Sequence, residues 1–162
     1  AGECLTIYEE QVTDAKQKKQ VLELIINSCL RLNCLSEENY DTLVTNIISY
    51  CSKIMKKNEQ CQILLSCCFL FTNPLADCNR IHEVLKRCAK LANNCIGQSL
   101  IHLSLFFDIL ECYLYFVEQK KIIEDKDDAI SQISSAVEEK INEQGETQEI
   151  TSHLVECRTR WS

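Results

Sequence analysis

Glycine and proline are almost missing from this chain: 3 Gly and 1 Pro in 162 residues. An average protein uses these two residue types for roughly 12% of its positions. Sheets need tight turns between strands, and those turns draw on glycine and proline for their backbone angles. All-β and α/β architectures are therefore disfavoured from the outset. Helices need far less of either residue, and the apolar pattern agrees. Val21, Leu22, Ile25, Ile26, Cys29 and Leu30 recur one, three, one, three and one positions apart, the period of a helix face. Leu43, Val44, Ile47, Ile48, Cys51, Ile54 and Met55 repeat the stripe, as do Ile81, Val84, Leu85, Cys88, Leu91, Ala92 and Cys95. Ile130, Ile133, Val137 and Ile141 make another, and Ile150, Leu154, Cys157 and Trp161 the last. The expectation is an all-α, single-domain chain spanning 1–162.

Helix starts can be placed by residues whose side-chain oxygen caps free backbone N–H groups. Thr13-Asp14, Ser36, Asn58, Asp77, Asp125 and Thr147 are the candidates, and Asn73-Pro74 and Gly97 interrupt helices. The predicted helices run near 3–12, 14–33, 37–56, 59–71, 77–95, 98–119, 126–143 and 147–160. On this reading Lys53, Lys56 and Lys57 close the helix that Ser36 opens, where cations suit the negative end of the helix dipole. The helix from 98 to 119 is apolar around its whole circumference and needs cover on several sides. His102, Asp108 and Glu111 argue against its spanning a membrane. Short connections imply antiparallel neighbours, in a closed bundle or in an α-solenoid of pairs near 14–56, 59–95 and 98–143.

Charge and cysteine narrow the function. A net charge of −7 speaks against nucleic-acid binding. The charge is also uneven: Lys53 to Lys90 holds 7 basic and 3 acidic residues, Glu118 to Glu149 holds 10 acidic and 4 basic. Such surfaces of opposite sign can select protein partners. The 12 cysteines sit mostly among leucines and isoleucines on helix stripes, without C-x-x-C, and read as small core residues of a reducing compartment. No secretory leader is visible, and Ala1-Gly2 reads as an appended dipeptide before a start inside the fold. Catalysis by Cys67 or Cys68 with His82, or by Cys112 with His102, is disfavoured because an apolar setting raises a thiol pKa. His82, His102 and His153 are isolated, so neither a metal nor a cofactor is expected.

Five segments then fall in one order: Ile7-Tyr8-Glu9-Glu10, Cys34-Leu35-Ser36-Glu37-Glu38-Asn39, Ser52-Lys53-Ile54-Met55-Lys56-Lys57, Leu85 through Cys95, and Ile109 through Phe116. Together they resemble the C-terminal part of the retromer large-subunit family, vacuolar protein sorting-associated protein 35, from about Leu5 to Arg160. The resemblance implies a HEAT-like α-solenoid of antiparallel helix pairs that serves as a scaffold and not as an enzyme. It implies a partner, the metallophosphoesterase-fold subunit vacuolar protein sorting-associated protein 29, while the rest of the longer chain binds an arrestin-like subunit. It also implies a cytoplasmic protein, peripheral on endosomal membranes, that retrieves cargo toward the Golgi or plasma membrane without inserting into the bilayer. Where the family carries T-C-A-H-L-F-W, this chain has Ser66 to Thr72, so Phe69 and Thr72 replace its His and Trp, and the loop from Asn73 to Asp77 is shorter.

Two surfaces are expected from this reading. Apolar residues beyond the needs of packing, Phe69, Phe71, Phe106, Tyr113 and Tyr115, are candidates to anchor the partner, although all five also suit a core. Glu9 and Glu10 at the end of the first helix, with Lys53, Lys56 and Lys57 at the end of the third, share one rim of an up-and-down stack. A two-fold axis there would set acids of one copy against lysines of another in a weak, salt-sensitive homodimer. The family's large subunit dimerises through the matching positions.

Overall fold

The computed structural model describes residues 2–32, 34–72, 74–95 and 99–119, together with 131, 134, 135 and 138. Its elements are α1 (Gly2–Gln11), α2 (Ala15–Cys29), α3 (Glu37–Ser52), α4 (Lys57–Cys68), a 3-10 turn over Phe69–Phe71, α5 (Cys78–Asn93) and α6 (Ser99–Glu118). Helices are the only regular elements among the described residues, so the fold is all-α as the helical period requires. Residues 131, 134, 135 and 138 are helical as well. The rest of the expected helix over 126–143, and all of the one over 147–160, lie outside the described residues.

Three predicted caps form. Asp14 accepts the Gln17 N–H at 2.9 Å, Ser36 that of Asn39 at 3.4 Å and Asp77 that of Arg80 at 3.0 Å. The fourth is corrected. Helix α4 starts at Lys57 behind Lys56, which makes no side-chain cap bond, and Asn58 lies inside the first turn. The expected end of α3 at 56 is corrected with it, because α3 stops at Ser52. There the Lys53 and Ile54 N–H groups bond the Tyr50 and Cys51 carbonyls, the tighter three-residue spacing that closes a helix. The buried Gln60 of α4 donates to the Ser52 carbonyl at 2.6 Å, satisfying a group the helix leaves open. Lys53 is thus a C-cap, whereas Lys56 and Lys57 open the next helix.

The chain divides into two compact units, Ala1–Gly97 and Gln98–Ser162. In the first, α4 packs against α2, α3 and α5 and is the central element. Its pairing with α5 is antiparallel: Cys61, early in α4, faces Cys88, late in α5, while Phe71 beyond the end of α4 faces Arg80 at the start of α5. The two thiols donate to each other's backbone carbonyl at 3.6 and 3.8 Å, a close approach of helix backbones that small side chains permit. Leu22, Ile26, Val44, Ile47, Ile63, Leu64, Ile81 and Leu85 are at most 1% exposed and make the core. Each such side chain contributes about 1.5–3 kcal/mol on burial. This stacking of successive helix pairs is the arrangement expected of an α-solenoid.

In the second unit, the side chains described on α6 are buried apart from one stripe and the half-buried Val117. Ser104, Asp108, Glu111, Tyr115 and Glu118 are exposed, spaced four, three, four and three residues apart, so they share one face. No helix among the described residues is long and apolar enough to cross a membrane.

Candidate interaction surfaces

Of the five aromatic candidates for partner binding, the structure makes three part of the chain's own interior. Phe71 is fully enclosed, Phe106 is 3% exposed and Tyr113 1%. The Arg80 guanidinium lies 4.5 Å from the Phe71 ring centroid, so that ring's face is taken. Rings so enclosed offer a partner little surface in this chain. Phe69 is half-buried and Tyr115 is 44% exposed, with its ring edge-on to Phe116 at 5.2 Å. These two keep surface for contact. Tyr115 sits on the open stripe of α6 between acids. Partial loss of water around its carboxyl, and then the neighbouring Glu111, pushes Asp108 above its ordinary pKa.

The charged candidates meet in a different way from the one anticipated. Glu9, on the last turns of α1, has two donors from α3: Tyr50 Oη at 2.8 Å and Lys53 Nζ at 3.3 Å. Lys53 Nζ also stands 4.6 Å from the Tyr50 ring centroid, and Tyr8 packs edge-on against Tyr50 at 5.3 Å. The Tyr50 bond, then the Lys53 ammonium, hold the Glu9 carboxyl below its ordinary value. The same bond raises the Tyr50 phenol. Lys56 pairs with Glu59 at 3.1 Å, and Lys57 donates to Gln60 Oε1 at 3.3 Å. Glu10 is exposed. Glu9 and Lys53 do share one rim, but they are matched to each other within one chain.

Sequence reasoning missed two residues that organise these clusters. Tyr50 was not singled out because its partners lie about 40 positions away, beyond the reach of any periodicity. Arg80 reads only as a basic residue in the first turn of α5. Its guanidinium nevertheless bonds Asp41 and, at 2.9 Å, Thr45 of α3, lies 4.0 Å from Asp77, and covers Phe71. It ties the start of α5 to α3.

The thiols carry no activated nucleophile among the described residues whose pKa moves. Cys51 and Cys67 have their sulfurs 3.7 Å apart, and that contact, then burial, raises the Cys67 pKa well above the ordinary thiol value. Burial raises Cys29 and Cys95 too. Cys68 is buried and His82 half-buried, while the His102 side chain and His153 lie outside the described residues. Among the described residues, no three His, Cys, Asp or Glu side chains gather as a metal site would require.

Comparison with known proteins sets these surfaces in context. The family model of vacuolar protein sorting-associated protein 35 matches residues 1–142. Vacuolar protein sorting-associated protein 35A of Arabidopsis thaliana is 35% identical over 123 residues, covering 70% of this chain and 16% of its own length. Vacuolar protein sorting-associated protein 35 of Schizosaccharomyces pombe is 34% identical over 125 residues, 72% of this chain and 15% of its own. The Dictyostelium discoideum protein of that name is 29% identical over 118 residues, 71% of this chain and 15% of its own. The chain thus corresponds to about one sixth of the length of these relatives.

Proposed function

The chain belongs to the vacuolar protein sorting-associated protein 35 family, and from that premise we propose that it is a non-catalytic helical scaffold of the retromer. Its partner in this reading is the metallophosphoesterase-fold subunit, vacuolar protein sorting-associated protein 29. The longer protein also carries an arrestin-like subunit, and the assembly works on the cytoplasmic side of endosomes, retrieving cargo toward the Golgi or plasma membrane. The observation that carries the reading is the match over residues 1–142 together with an all-helical fold. The raised thiols support a scaffold over a cysteine enzyme, since a thiol above its ordinary pKa holds little nucleophilic thiolate.

Tyr115 and Phe69 are the anchors this proposal uses, because they combine apolar ring area with exposure. Buried aromatic anchors commonly cost 2 kcal/mol or more when truncated, roughly thirtyfold in affinity. The test is gel filtration of this chain with its own phosphoesterase-fold subunit. Co-elution is expected, and Tyr115→Ala should weaken it about tenfold or more with the helical circular dichroism unchanged. Separate elution of the unaltered proteins at micromolar concentration would end the proposal.

Self-association is the second part. Glu9 and Lys53 meet across α1 and the end of α3, with Glu10 next in the chain to Glu9 and Lys56 and Lys57 a few positions after Lys53; this supports a two-fold contact of these acids with these lysines between copies. Exposed pairs are weak and screened by salt, so the dimer is expected only at low ionic strength.

A further inference from the structure

A contact between copies through Glu9 and Lys53 meets a competitor inside the chain. Glu9 Oε2 accepts the Tyr50 hydroxyl at 2.8 Å, and Glu9 Oε1 accepts Lys53 Nζ at 3.3 Å. Both charged side chains are more than half exposed, 56% for Glu9 and 62% for Lys53, and can swing outward. Tyr50 has less freedom. Its residue is half-buried, its ring is wedged edge-on against Tyr8, and Lys53 covers one ring face. On the α1 side, Leu5 and Tyr8 are themselves buried, 4% and 5% exposed. The bond itself lies at the surface, but a second copy that draws Glu9 outward has to break it, because the Tyr50 ring cannot follow.

The consequence is an asymmetry between the two bonds on Glu9. Exchanging its own Lys53 for another copy's Lys53 replaces like with like and changes little. Giving up the Tyr50 hydroxyl costs one hydrogen bond to a charged group, which water at this exposed site only partly offsets. We propose that Tyr50 is an intrachain latch on the self-association surface, holding Glu9 and Lys53 against their own chain and withholding both from a second copy. This rests on the self-association reading above. It extends that reading by naming the group that sets how weak the dimer is.

Tyr50→Phe is the direct test, since it deletes the hydroxyl and keeps the ring that Tyr8 and Lys53 pack against. Sedimentation equilibrium of this chain at about 20 mM salt should show the variant dimerising roughly two- to fivefold more tightly than the unaltered chain, the range of one exposed charged hydrogen bond. At about 0.5 M salt, where the Debye length is only a few ångströms, the difference should vanish. An unchanged or weaker dimer at low salt, with unchanged circular dichroism, overturns the latch. Charge reversal of Lys53, Lys56 and Lys57 to Glu separates the two levels. If that variant loses dimer while Tyr50→Phe changes nothing, the latch alone fails. If neither variant nor salt moves the distribution, the self-association reading fails and takes the latch with it.

Discussion

Two polar clusters tie helices of the first unit to α3, and they differ in depth. At one end of α3, Arg80 bonds Asp41 and Thr45 and covers the enclosed Phe71 ring, its own side chain 29% exposed. At the other end, Glu9 joins Tyr50 and Lys53 with both charges more than half in water. The chemistry is the same, a charged pair with a hydrogen-bonding third member and an aromatic ring. Partial burial of the guanidinium makes the first the firmer tie, because its bonds are partly withdrawn from water. Exposure makes the second exchangeable. A charged cluster on such a chain should be read by its depth before it is read as an interface.

The largest break in this comparison is expected at Arg80. Arg80→Ala strips Asp41 and Thr45 of a donor and uncovers Phe71, and it should cost about 1–2 kcal/mol in urea unfolding. That corresponds to several degrees of Tm in a domain of this size. Adding about 0.5 M salt should remove only part of the loss, since a half-buried pair is poorly screened. If Arg80→Ala proves no more costly than Lys53→Ala, the distinction drawn between the clusters is wrong.

Glu9 gives a smaller effect with a definite pH sign. Its folded carboxyl lies below the ordinary value, so the folded state favours the ionised form. The stabilisation is therefore present above the unfolded pKa and is lost as pH falls through the lower folded one. Unfolding of Glu9→Gln beside the unaltered chain should show a gap at neutral pH that closes on acidification. A gap that widens on acidification would reverse the assignment.

Thiol labelling sharpens the comparison without moving stability. The exposed Cys4 and Cys34 should react at once, whereas Cys29, Cys51, Cys61, Cys67, Cys68, Cys88 and Cys112 should wait for unfolding. Immediate reaction of the buried set would mean that the core is not packed as described.

Much of this was legible in the sequence. The stripes that begin at Val21, Leu43 and Ile81 mostly sit on buried faces, but Leu30 and Met55, read as part of them, are 44% and 90% exposed, because they lie just past the ends of α2 and α3. The caps at Asp14, Ser36 and Asp77 were local and therefore readable. The boundary between α3 and α4 was not, since Lys56 and Lys57 suit a helix end by charge, while the Ser52 carbonyl at the end of α3 is satisfied by Gln60, eight positions beyond it. The partner surface was half legible. Phe71, Phe106 and Tyr113 satisfy the same pattern as Phe69 and Tyr115, and only three-dimensional enclosure separates them. Tyr50 and Arg80 gave no local signal at all.

Whether this chain is a scaffold that grips a phosphoesterase-fold subunit can be read most directly by amide hydrogen exchange. The chain would be followed alone and with a saturating amount of that subunit. The account predicts slowed exchange in peptides covering the exposed face of α6 around Tyr115 and the turn around Phe69, with the helices of the enclosed core unchanged. Identical exchange with and without the subunit would contradict it.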